Sequence, residues 1–88
     1  MVIGGKNSIN NLNINIVLYK LETSGKCDAE FKTANAKVDS VRFCMEFCKR
    51  EPDVGYFSWS ASTTECECFP ATTCGAKASG DFNFYRIL

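Results

Sequence analysis

The chain has no histidine. That absence removes the usual base of a Ser-His or Cys-His nucleophile pair. There is no C-x-x-C motif either, so a thiol redox enzyme is not expected. Charge excess is also missing, since ten basic residues meet ten acidic ones. A nucleic-acid binder would carry a basic stripe and a membrane-surface binder a polybasic cluster, so neither partner is expected. No apolar run approaches the ~20 residues that cross a bilayer, which argues against direct membrane insertion. The opening Met1-Val2-Ile3-Gly4-Gly5-Lys6 lacks the basic n-region and long apolar stretch of a secretory leader. The expectation is therefore an excised domain, or a mature form with an added methionine. No Asn-x-Ser/Thr sequon is present, so glycosylation offers no argument for secretion.

What the chain does have is cysteine, six in 88 residues. The length suits one small domain. Such a chain buries only roughly 60% of its unfolded surface, so its core alone leaves a thin margin. Disulfides at about 2–4 kcal/mol each supply what the core lacks. An even count at this density points to an extracellular or secreted module formed in an oxidising compartment.

Hydrophobic patterning divides the chain. Residues 1–11 are rich in Gly and Asn and are expected to be a flexible N-terminal segment. Leu12 to Ile16 alternates as a half-buried strand does, and Val17, Leu18, Tyr19 and Leu21 extend it with apolar residues on both faces. Ser24-Gly25 marks a turn. Cys27 to Thr33 reads as a short second strand with Phe31 inward. Asp39 or Ser40 can cap a helix over Ser40 to Arg50. Val41, Cys44, Met45 and Cys48 make one buried stripe, which Phe43 and Phe47 are expected to widen. Arg42, Glu46, Lys49 and Arg50 form the wet side, with Glu46 four residues before Arg50. Three strands follow: Tyr56–Ser60, Glu65–Phe69 and Phe82–Leu88. The expected fold is α+β, an antiparallel sheet of about five strands cradling a single helix, with one domain over residues 12–88.

The cysteine spacing adds detail. Cys44 and Cys48 share one helix face and are about 6 Å apart along the axis. Cys66 and Cys68 share one strand face at about 6.6–6.8 Å. These lengths match well enough for two parallel disulfides, each needing Cα atoms within about 4.4–6.8 Å. After the helix the chain turns at 52–55 and runs back as Tyr56–Ser60. The next hairpin then brings Glu65–Phe69 alongside the helix in the helix's own direction. Cys66 arrives beside Cys44 and Cys68 beside Cys48, leaving Cys27 for Cys74. The rival use is a zinc site on Cys44, Cys48, Cys66 and Cys68, disfavoured by one residue between two ligands, where pairs usually enclose two to four. The expectation is no metal and no cofactor.

The carboxylate pairs Glu65 with Glu67 and Glu51 with Asp53 read as solvated faces, and no base accompanies them, so the chain is not expected to be an enzyme. Phe57 and Trp59 alternate with serines and read as core against the helix. Tyr56 and Tyr85 stand on the opposite faces, partly exposed. With Lys49 and Arg50 they are the candidate ligand-binding residues, because a ring with a nearby charge or amide holds a sugar or a protein side chain.

The run Ser40-Val-Arg-Phe-Cys44-Met-Glu-Phe-Cys48, then Phe57-Ser-Trp59, then Thr64-Glu-Cys66-Glu-Cys68-Phe69, resembles the PAN/apple domain family. The likeness covers about residues 27–88 and includes Ser79-Gly80 before a final aromatic strand. The family pattern has a cysteine three residues before the strand Phe, paired with the second helix cysteine. That position here is Val54, and Cys68 takes its place. The resemblance implies a non-catalytic adhesion module whose partner is a protein receptor or a glycan on a cell surface. It looks most like an apple module of an apicomplexan microneme adhesin, flanked by similar modules in a secreted chain. The alternatives are a secreted anti-platelet, collagen-binding PAN protein and a purely structural disulfide spacer. Peptide mapping without reduction is expected to recover Cys44 with Cys66, Cys48 with Cys68 and Cys27 with Cys74; a fragment joining Cys44 to Cys48 contradicts the geometry.

Overall fold

The computed structural model describes residues 18–72 and 74–88. The expected flexible segment 1–11 and the alternation at 12–16 lie outside the described residues. Five strands, β1 (Tyr19–Ser24), β2 (Ala34–Lys37), β3 (Val54–Ser60), β4 (Glu65–Pro70) and β5 (Phe82–Ile87), form one antiparallel sheet in the order β1-β5-β3-β4-β2. The one α-helix among the described residues, α1 (Val41–Lys49), lies on β3 and β4. This is a small disulfide-stapled α+β fold.

Ser40 is the helix cap, its Oγ accepting from the Phe43 amide at 3.2 Å. Cys44, Met45 and Cys48 are buried. Phe43 does not widen the stripe: it is 53% exposed, and Phe47 is half-buried. At about 100° per residue Phe43 falls roughly 150° from the centre of the buried stripe, and Phe47 only flanks it. On the wet side Glu46 takes Arg42 as its ion-pair partner, at 3.2 Å.

The sheet register is best read as rows. One row, Ala34–Cys68–Phe57–Tyr85–Leu21, crosses all five strands on the helix face. Directly opposed side chains in antiparallel strands share a face, so these residues form one continuous surface. The helix sits on its Cys68–Phe57 half. Cys44 and Cys66 are disulfide-bonded with Cα atoms 5.4 Å apart, and so are Cys48 and Cys68, again at 5.4 Å. Phe57 is fully buried beneath them. The Trp59 indole is half-buried and donates to the Val38 carbonyl at 3.0 Å, tying β3 to the connection that enters the helix.

The second strand differs from expectation. Residues Ala29–Phe31 make a single 3₁₀ turn with Phe31 40% exposed, and β2 begins later, at Ala34. Ala-Asn-Ala-Lys carries no β-branched or aromatic signal. Its burial depends on small side chains beside the cysteines, where Ala34 packs on the core. Cys27 meanwhile is drawn to the other face by its bond to Cys74.

That other face is covered too. Its central row is Asn35–Glu67–Ser58–Phe84–Thr23. Residues 25–28 and 74–79 cross it as a strap, joined by mutual Lys26–Lys77 backbone hydrogen bonds of 2.9 and 3.0 Å. The Cys27–Cys74 disulfide fastens the strap, and a second core of Cys27, Phe69 and Phe84 lies beneath it. Glu67 is consequently 6% exposed rather than solvated. The Lys26 ammonium stands 3.2 Å from its Oε1 and donates to Oε2 at 3.3 Å, while also capping the Phe82 ring at 4.4 Å. Ser58 is fully buried because its hydroxyl finds the Gly25 carbonyl at 3.2 Å.

Gly25 has φ +107°, and a Cβ there would land on the Lys77 carbonyl. Gly25→Ala is therefore expected to destabilise the fold by about 1–3 kcal/mol. Chemical denaturation against wild type checks this, and an unchanged midpoint contradicts it.

Candidate functional site

On the helix face, β5 and β1 carry the half of the row that the helix does not rest on. Tyr85 and Leu21 belong to it by register, and Tyr19, paired with Ile87, follows one row on. Tyr85 stacks on Phe57 with centroids 5.0 Å apart and planes 14° apart. Tyr19 meets both rings edge-on, at 5.8 Å from Phe57 and 5.7 Å from Tyr85. Offset-stacked and edge-to-face contacts of this kind fix ring positions beyond what area burial gives. The phenol of Tyr85 is pushed above its ordinary value by burial, while a hydrogen bond with the Asn83 side chain pulls it the other way. Tyr19, Tyr85 and Ile87 are half-buried and Leu21 is 54% exposed. The result is a shelf of two tyrosines and two aliphatic residues, with an amide at its border.

The four residues singled out from the sequence do not form one cluster. Tyr85 is on the shelf. Tyr56 is on the other face, stacked on Phe84 at 5.0 Å beside the strap. Lys49 closes the helix and Arg50 is its C-cap, both exposed. Because α1 runs parallel to β4 through its two disulfides, it is antiparallel to β3. Its C-terminus therefore lies at the sheet end where Tyr56 pairs with Arg86 and Tyr19 with Ile87. Lys49 and Arg50 thus flank the shelf end, with neither in an ion pair among the described residues. Tyr19 and Asn83 were not singled out by sequence reasoning. The signal for Tyr19 was the apolar character of 17–21 on both faces, which marks a residue packed on one side of an edge strand.

Two other clusters bring polar groups together. A shallow cleft of about 260 Å³ opens between 26–29 and 77–79 and carries Lys26, Asp28 and Lys77. Its Lys26 is already engaged by Glu67. The second cluster is Asp81 with Ser60 and Ser62. Asp81 Oδ2 accepts from the Ser62 amide at 2.8 Å, and Oδ1 accepts from the hydroxyls of Ser62, at 3.0 Å, and Ser60. This set locks the β3–β4 turn to the start of β5. Neither the known family models nor the curated proteins contain a match to the chain.

The Ser60 hydroxyl, and after it the Ser62 amide, hold the Asp81 carboxyl below its ordinary value of 3.8. A depressed carboxylate contributes stability that is fully present above its unfolded value and lost as pH falls through the folded one. Thermal melts of wild type and Asp81→Asn are expected to differ most above the ordinary carboxyl value and to converge below it. A difference that stays constant with pH contradicts the clamp.

Proposed function

We propose that the chain is an extracellular, non-catalytic binding module of PAN/apple type that mediates adhesion. Its protein or carbohydrate ligand rests on the tyrosine shelf. The observation that carries this reading is the shelf itself, two preordered tyrosine rings beside an exposed leucine on the half of the sheet away from the helix. Rings fixed by neighbouring rings lose little conformational freedom on binding. Such a surface offers apolar area with hydroxyl and amide groups at its border, which suits a sugar face or a protein side chain. Lys49 and Arg50 at the same end add cations for an acidic group on the partner.

Three disulfides fit assembly in an oxidising compartment. Among the described residues no helix is long and apolar enough to cross a membrane. The finer reading is one repeat of a parasite adhesin, released from a secretory organelle such as the microneme. It rests on the resemblance of residues 27–88 to the PAN/apple pattern. Repetition would let weak single sites gain by avidity.

Glycan-array, host-cell and collagen binding test the reading. Leu21→Lys, which alters an exposed side chain, and Tyr85→Ala are each expected to weaken binding about tenfold or more. Lys49→Ala should have a smaller effect, and Tyr56→Ala, on the other face, none. Binding indifferent to Leu21→Lys and Tyr85→Ala removes the shelf as the site. Absence of binding to every glycan, cell and collagen surface favours a structural spacer.

A further inference from the structure

The two staples do more than bridge a helix and a strand: they set four buried cysteines side by side. Cys44, Cys48, Cys66 and Cys68 are all 0% exposed. Across the gap between the two disulfides, Cys48 Sγ and Cys66 Sγ are 3.6 Å apart. The sulfurs of Cys44, Cys48 and Cys66 all lie within 4.8 Å of one another. A zinc ion bound tetrahedrally to four thiolates at about 2.3 Å sets its sulfurs about 3.8 Å apart. We propose that, when both staples are reduced, Cys44, Cys48, Cys66 and Cys68 hold one zinc ion in place of the two disulfides.

The short Cys66-x-Cys68 spacing looks cramped in the sequence because zinc pairs usually come from tight turns. The structure removes that objection. The two residues are on an extended strand, where alternate side chains share a face at about 6.6–6.8 Å. Their helix counterparts lie one turn apart at about 6 Å. With Cα atoms 5.4 Å apart across each pair, the four backbone positions frame a single small volume. Zinc adds one atom at its centre while each bonded pair of sulfurs separates. The Cys27–Cys74 disulfide is on the opposite face of the sheet and takes no part.

The chemistry balances. Each disulfide accepts two electrons and two protons to give two thiols. A phosphine reductant supplies the electrons and leaves as its oxide, with the oxygen drawn from water. Zinc then displaces the thiol protons, so uptake falls as pH is lowered. Metal binding to a site absent from the unfolded chain is also folding free energy. A reduced chain would thus keep helix and sheet together while the metal is bound.

The test uses the full chain, reduced with a phosphine, given zinc and freed of excess by gel filtration. Metal analysis is expected to find one zinc per chain in the reduced protein and in a reduced Cys27→Ser/Cys74→Ser variant, with none in the oxidised protein. Cobalt in place of zinc should give the intense visible bands of tetrahedral thiolate coordination. Cys66→Ser and Cys44→Ser should each weaken uptake by about tenfold or more. Far-UV circular dichroism should show the reduced chain regaining helix and strand on adding zinc. No zinc in the reduced wild type overturns the proposal, as does equal uptake by Cys66→Ser and by the Cys27→Ser/Cys74→Ser variant.

Discussion

The rest of this structure depends on the pair of disulfides between one helix and one strand. Cys44 with Cys66 and Cys48 with Cys68 fix the helix in position, direction and rotation at once, because two parallel links leave it no freedom to roll or slide. A single link would leave a hinge. The consequences spread outward along the sheet. Phe57 is sealed beneath the helix, Ala34 must stay small beside Cys68, and the helix C-terminus is set at the Tyr19–Ile87 end. In a chain of 88 residues, whose core contributes little to spare, such links replace packing that a larger domain would have.

The other face is organised by a different device. Here, among the described residues, two stretches of loop cover the sheet, joined by the Lys26–Lys77 bridge and the Cys27–Cys74 disulfide. A loop laid over a sheet brings backbone polar groups inward, and each needs a partner. Ser58 supplies one to Gly25, and Glu67 anchors Lys26. The polar residues of this face are therefore internal adhesive between sheet and strap. With that face occupied, the tyrosine half of the helix face becomes the ordered aromatic surface of interest. Its rings pack against Phe57, a core residue, which fixes their positions.

Much of this was legible in the sequence, for an identifiable reason. The α1 stripe and the alternations at 56–60, 65–69 and 82–88 report burial on one side of one element, and periodicity detects that directly. The cap at Ser40 and the spacing of the staple cysteines are likewise local. Where reading failed, burial came from a distant segment. Glu67 looked solvated because nothing near it in the chain announces Lys26, 41 residues away. Ala34–Lys37 carries no local strand signal, because alanine is weak as a strand former and useful only beside a cysteine pair. Phe43 looked like core by type and is exposed by angle.

The sequence by itself determined the class of the fold, its single helix, most of its strands and its reliance on cysteine, since these follow from periodicity, capping and composition within short windows. Only the tertiary structure decided that a strap covers the face away from the helix, and which residues remain as an aromatic shelf. Tyr56 and Tyr85 carry the same side chain in similar strands, yet one is stacked beside the strap and the other beside the helix. The difference is one of register and cover, set by strand pairing and by a disulfide spanning 47 residues, and no local pattern encodes it.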